Sequence, residues 1–316
     1  FPNYPLSFFF SNCAMVLKER KSNVAWHILA VVTIIFWGTS FVSTKVLINH
    51  GFSAIQIFFI RFVFTYLILL ATSHKKFFSE SIKDELKFLL GGLTGGTLYF
   101  LTENTALAFS PSSNVSLIVC TNPLLIMLAG VLFFKRETLL PRPHVGSLIT
   151  FVGMVLVVLN GKFILKISPV GDLLAFCAAL AWCVYAYSTD KIRSKYDTFF
   201  SVRKIFFYAV LTSVPFMLWD CFFCGGQGNA VPWGTFTEPV VVGNFLCLGI
   251  FASLFGYLVW NKVMEKLGTV LASNYIYGIP LVTMITAAIT IGERISPVAV
   301  LGAAAIIIGM ILAEKK

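Results

Sequence analysis

The sequence predicts an all-α integral membrane protein of ten transmembrane helices, arranged as two inverted five-helix repeats with both termini cytoplasmic. Three observations carry this. Apolar runs of bilayer-crossing length follow one another with short loops between them, Lys and Arg crowd into alternate loops, and the second half of the chain echoes the first.

The apolar runs cover roughly residues 25–49, 53–73, 86–109, 112–134, 143–160, 172–190, 199–219, 238–264, 269–290 and 297–313. Helices are the economical reading, because open strands would leave backbone groups unpaired in hydrocarbon. Composition agrees: the chain is 58% hydrophobic and 12% charged, with mean hydropathy +0.86, whereas soluble domains are about 25% charged. A net charge of +10 could suggest nucleic acid, but the basic residues lie in short loops, which fits an anionic leaflet better. The seven cysteines are scattered, mostly inside apolar runs, and outline no disulfide framework.

With the N-terminus inside, nineteen Lys and Arg fall in cytoplasmic segments and three (Lys162, Lys166 and Arg294) in outer loops, which sets the orientation. The expected location is the plasma membrane. Five helices per half means that the halves enter the bilayer from opposite sides.

The repeat is legible residue by residue. Pro123 matches Pro280 at an offset of 157; Glu137, Pro141, Gly146, Gly153 and Met154 match Glu293, Pro297, Gly302, Gly309 and Met310 at 156. Trp37, Ser43 and Thr44 match Trp182, Ser188 and Thr189 at 145, while Gly92, Phe100 and Asn104 face Gly249, Tyr257 and Asn261 at 157. The organisation read from this is an N-terminal extension over 1–24, a first repeat over 25–160, a linker over 161–171 and a second repeat over 172–314. Inverted repeats recur in secondary transporters, which hold solute near the midplane between the halves.

The same residues resemble the EamA family of the drug/metabolite transporter superfamily. Trp37-Gly-Thr-Ser-Phe-Val-Ser-Thr-Lys45 is similar to the family's WGxxFxxxK opening, and Arg61-Phe62 to its RF pair. Each half ends in a proline-containing helix, a polar turn and a glycine-containing helix. The turn is Gly292-Glu293-Arg294 in the second half and Lys135-Arg136-Glu137 in the first. The resemblance covers about 25–314 and implies a carrier, often an exporter, of amino acids or other small metabolites by alternating access. The solute does not follow from the fold.

Candidate solute-contacting residues come from polar groups inside apolar runs. Glu103 is the one carboxylate well inside a span of the first half, roughly 9 Å deep; Lys45 and Arg61 lie roughly 6 and 12 Å deep by the same helical rise. They read as a binding cluster, with cations for a carboxylate or phosphate and Glu103 for an amine or a proton. They read equally as a structural ion pair, with Lys45 snorkelling outward. Tyr99 sits one turn before Glu103, beside Asn104. Tyr257, Trp260 and Asn261 repeat that spacing, Asn274 and Tyr277 share a face before Pro280, and Asn122 precedes Pro123. Trp37, Trp182 and Tyr185 read as cavity wall or as helix–helix contacts. Pro123 and Pro280 are expected to interrupt their helices, as hinges or kinks. Gly91-Gly92 with Gly95-Gly96, and Gly146/Gly153 with Gly302/Gly309, are expected to allow close helix approach.

Cys221-Phe-Phe-Cys224 is a lone pair without a zinc-site partner, the four histidines show no ligand spacing, and Gly161-Lys162 has no glycine-rich cradle before it. No cofactor is predicted. The expected partners are a small-molecule solute and the lipid bilayer, not nucleic acid. One chain holds both halves, so a monomer suffices, and a dimer is left open. Two alternatives stand beside the carrier. One is a channel or a multidrug/proton antiporter, although the small four-helix relatives of the latter kind place their carboxylate in the first helix, where this chain has Lys45. The other is a membrane enzyme using Glu103 as acid and base. Residues 1–14 read as an extension ahead of a start at Met15, followed by a basic stretch and the first long apolar run. Sequencing the N-terminus of native protein should return Met15 and not Phe1.

Overall fold

The computed structural model describes residues 6–74, 76–109, 115, 118–133, 141–159, 168–224, 233–291 and 296–314; the side chains of 6–23 and of Lys45, among a few others, lie outside that description. Both Gly-Glu-Arg-like turns and most of the linker therefore fall outside it. Among the described residues every regular element is helical. They are α1 (Leu6–Asn49), α2 (Ala54–Thr72), α3 (Ile82–Gly92), α4 (Tyr99–Phe109), α5 (Asn122–Leu132), α6 (Pro141–Leu159) and α7 (Pro169–Ser188). After the short α8 (Asp190–Lys195) come α9 (Thr198–Trp219), α10 (Pro239–Leu246), α11 (Gly256–Leu267), α12 (Thr269–Asn274), α13 (Ile279–Ile291) and α14 (Pro297–Glu314). Local chemistry sets several starts. Ser53 and Gln56 form a reciprocal capping box on α2, and the Asp197 carboxylate accepts from Phe199 and Phe200 at the head of α9.

Five helical stretches are long and apolar enough to cross a bilayer: Ala54–Thr72, Pro169–Lys195, Thr198–Phe222, Pro239–Leu267 and Thr269–Thr286. Shorter apolar helices occupy Val24–Ser40, Asn122–Leu132, Val145–Val157 and Pro297–Leu312. Burial is inverted relative to a protein in water. Glu103, Arg61, Asn122, Asn261 and Asn274 are inside, while Leu211, Ile289 and Leu301 are among many large apolar side chains outside. That outer surface suits lipid, and the chain is a multi-pass membrane protein.

Leu93–Leu98 between α3 and α4 and Cys247–Phe255 between α10 and α11 are π-helical insertions within a helix, and a further π segment, Asp220–Cys224, ends α9. Adding the offset of 157 places the first inside the second, so the insertion is a property of the repeat. One extra residue per turn breaks the regular hydrogen-bond ladder and leaves carbonyls seeking outside donors.

Each proline falls where its helical run is interrupted, as expected. Pro123 and Pro280 are each the second residue of a resumed helix, α5 after a turn at Cys120–Thr121 and α13 after a 3-10 segment, Tyr275–Gly278. In each case the irregular turn lies directly upstream, over the residues that a missing proline N–H and the ring's bulk disturb.

The glycine pairs show how the halves meet. A Cβ on Gly153 would come within 2.6 Å of the Gly302 carbonyl oxygen, and one on Gly309 within 2.6 Å of that of Gly146. Residue numbers fall along α6 as they rise along α14, so the helices are antiparallel. Shifting the first contact by 156 converts it into the second, which places a two-fold axis between the helices. Antiparallel repeat mates about such an axis are what an inverted repeat requires. Elsewhere α1 packs on α11 and α13, and its mate α7 packs on α4 and α5.

At the Lys-rich end, α3 is tied to the second repeat. Asp84 accepts from Lys195 (2.6 Å), Tyr196 (2.9 Å) and Lys87 (3.0 Å), and Glu85 from Lys204, Ser79 and Tyr208. The hydrogen bonds from Lys195 and Lys87 outweigh burial and hold the Asp84 carboxyl well below the usual range.

Two predictions follow from these contacts. Gly153→Leu should destabilise by about 1–3 kcal/mol through overpacking, whereas Gly243→Ala, with open space around it, should be neutral or stabilise by about 0.5–1 kcal/mol; thermal unfolding in detergent measures both. Asp84→Asn should lower the unfolding temperature at neutral pH. The wild-type advantage is complete above the unfolded carboxylate value of about 3.9 and is lost as pH falls from there toward the folded value. Melting curves from about pH 7 down to about pH 3 should therefore keep their gap until the acid end.

Candidate functional site

The two π insertions present equivalent carbonyls, Gly95 and Ala252, to the centre of the molecule. Tyr257 Oη donates to Gly95 O at 2.6 Å, and Trp37 Nε1 to Ala252 O at 2.9 Å. Each bond runs from one repeat to the other. These anchors fix two rings around which the aromatic candidates gather. Trp37 meets its repeat mate Trp182 edge-on at 5.6 Å between centroids, and Trp260 at 4.9 Å. Trp182 continues to Tyr99 at 5.2 Å and Tyr185 at 5.0 Å. Gly95 makes room for this wall, since a Cβ there would lie 2.3 Å from the Tyr185 ring.

The charged candidates adjoin the wall. Glu103 accepts from Tyr99 Oη at 3.2 Å, as expected for neighbours one turn apart. Arg61 donates through Nε to Ser253 Oγ at 2.9 Å, and its guanidinium lies 4.6 Å from the Phe100 centroid and 5.6 Å from that of Phe62. Both are buried. No direct ion pair joins them among the described residues, so the structural-pair reading of Arg61 and Glu103 finds no contact here. The Lys45 side chain lies outside the described residues.

The amides divide. Asn261 gives both amide hydrogens away, one to Tyr185 Oη and one to Tyr257 O, each at 2.8 Å. That orientation leaves its Oδ1 as a buried acceptor with no partner. Among the described residues Asn122 Oδ1 is likewise buried and unpartnered, as are Trp182 Nε1, Trp260 Nε1 and Tyr277 Oη. Asn274 is different. Its Oδ1 accepts from Ser147 Oγ at 3.0 Å, tying α12 to α6. Asn104 is half-buried and makes no hydrogen bond to the other candidates among the described residues.

Eight buried side-chain polar atoms lack a partner among the described residues, and five belong to the candidates Asn122, Trp182, Trp260, Asn261 and Tyr277. An unsatisfied buried polar group costs about 1–3 kcal/mol, so these five are a costly feature of the fold. Three acceptors (Asn122, Asn261, Glu103) and four donors (Trp182, Trp260, Tyr277, Arg61) suit a small solute bearing both donors and acceptors. Sequence reasoning missed Ser253, Phe100 and the two π carbonyls. The Gly91–Gly96 cluster and Gly249 were the signal that could have found the last.

Helices of this kind around a buried polar centre define a multi-pass membrane protein built to handle a solute. The EamA-like transporter family model matches residues 24–159 and again 169–314. The chain belongs to that family, one of transporters and not of enzymes, which sets aside acid–base catalysis by Glu103. It is 26% identical to an "Uncharacterized transporter" of Archaeoglobus fulgidus over 93% of this chain and 99% of that protein. It is 24% identical to a "Probable amino-acid metabolite efflux pump" of Salmonella typhimurium (89% and 92% covered) and 22% to a "Probable terminal-alkyne amino-acid exporter" of Streptantibioticus cattleyicolor (94% and 95%). A solved crystal structure superposes with a TM-score of 0.71 at 18% identity, covering 92% of this chain and 97% of that one, which supports the fold.

Proposed function

We propose that this chain is a ten-helix secondary carrier of the plasma membrane, with both termini cytoplasmic, that exports a small zwitterionic metabolite, an amino acid or a close relative, by alternating access. The observation that carries the reading is the set of polar atoms unpartnered among the described residues in an aromatic centre, with Arg61 and Glu103 buried and each hydrogen-bonded there only to a neutral side chain. In this reading the solute carboxylate goes to Arg61 and the indole donors, its ammonium to Glu103 and the Asn122 and Asn261 carbonyls. Bound solute then neutralises charges that are expensive to hold in a closed centre, so closure is favoured when the site is filled. The group of α1, α11 and α13 would rock against the group of α4, α5 and α7, with the antiparallel α6–α14 pair between the repeats. Two relatives named as exporters of amino-acid compounds support the solute class and the direction.

Transport of labelled amino acids, nucleosides and sugars in proteoliposomes, with and without a proton gradient, tests this. Amino-acid flux is expected, with Glu103→Gln lowering it by about 10- to 100-fold, the loss of one charge-assisted hydrogen bond. Glu103→Gln moving solute at the wild-type rate with the same pH dependence would remove Glu103 from the site.

A further inference from the structure

Away from the centre, the Lys-rich end holds a cavity of about 460 Å³ between the α2–α3 connection and the turn joining α8 to α9. Ser73, Lys76 and Glu80 line it from the first repeat and Lys195, Tyr196 and Phe200 from the second. Its chemistry is already displayed by a carboxylate of the chain itself. Glu80 Oε1 lies 3.0 Å from Lys76 Nζ and its Oε2 3.3 Å from Lys195 Nζ, so two ammonium groups, one from each repeat, grip one anion. Both lysines lie over the Tyr196 ring, at 5.3 and 5.1 Å from its centroid. Glu80 is 55% exposed, and exposed pairs of this kind hold weakly, so a stronger anion can take its place.

A third cation adjoins the cavity. The Arg203 guanidinium lies 5.3 Å from the centroids of both Phe77 and Phe200 and donates through Nη2 to the Lys76 carbonyl. It is 2% exposed, its Nη1 has no partner, and no carboxylate pairs with it among the described residues. The other acids nearby are committed: Asp84 to Lys195, Lys87 and Tyr196, and Asp197 to the head of α9. On the same connection Phe77, Phe78 and Ile82 are 57%, 77% and 81% exposed. Such an apolar ridge beside clustered cations belongs at a headgroup–acyl boundary.

We propose that this cradle binds the phosphate of an anionic phospholipid, which displaces Glu80 from Lys76 and Lys195 and so bridges the two repeats. The apolar ridge favours a lipid over a soluble phosphate. The assignment rests on the Lys-rich end facing the lipid headgroups, not on the identity of the solute.

The test is native mass spectrometry of protein released from nanodiscs of mixed phosphatidylcholine and phosphatidylglycerol, for wild type, Lys76→Gln and Glu80→Gln. Both side chains are exposed, so the variants keep the fold. Wild type should retain phosphatidylglycerol in preference to phosphatidylcholine, Lys76→Gln should retain several-fold less, and Glu80→Gln more. Equal retention by Lys76→Gln and wild type, or a loss in Glu80→Gln, overturns the proposal. So does stabilisation of the protein in pure phosphatidylcholine discs by inorganic phosphate to the extent that phosphatidylglycerol gives, which would assign the cradle to a soluble anion. Lipid binding is read without transport, so a negative result here and a negative transport assay remain distinguishable.

Discussion

Everything in this molecule depends on how closely the two repeats approach each other. In a bilayer the hydrophobic effect does not press helices together, because lipid tails are as apolar as the side chains they would replace. Contact must come from fit and from hydrogen bonds, and here both are placed about the two-fold axis. Gly153 against Gly302 and Gly146 against Gly309 bring backbones together at one edge. In the middle, Trp37 and Tyr257 reach into the opposite repeat and bind the carbonyls that the π segments leave over. The π insertion is thus a source of acceptors. It weakens a helix locally and uses the freed groups to join the halves.

That join leaves a centre which is well packed by rings and poorly satisfied in its polar atoms. The two facts have one origin. Trp182 and Trp260 are held by neighbouring rings, which fix where their N–H groups point without giving them a partner. Asn261 is held by Tyr185 and Tyr257 through its amide nitrogen, which fixes where its carbonyl points. In the proposed carrier, preorganised groups of this kind would discriminate among solutes, because a molecule lacking the matching donor or acceptor leaves a buried group unpaired.

Much of this was legible in the sequence. The apolar runs and the paired Pro123/Pro280 and Gly146/Gly302 positions lead to the helices and to the duplication, because bilayer length and repeat offset are both linear in residue number. Tyr99 and Glu103 could be joined in advance, because helical spacing alone decides that contact. The π segments could not be read, since a single inserted residue does not alter hydropathy. Nor does sequence separate Asn274 from Asn261. One amide faces Ser147 on a neighbouring helix and the other faces the centre, a matter of helix rotation.

The repeats are not copies, and the place where they diverge has a consequence. At the offset of 157 that aligns Gly95 with Ala252 and Asn104 with Asn261, Glu103 falls opposite Trp260. Identical halves related by an in-plane axis would make the two end states of a carrier one structure turned by half a revolution, equal in energy and equally occupied at rest. An ionisable group on one side of the axis and an indole on the other removes that degeneracy. In the proposed carrier, the preference for one side of the membrane over the other is then a property of the resting protein, written into its unequal halves before any solute or gradient is present.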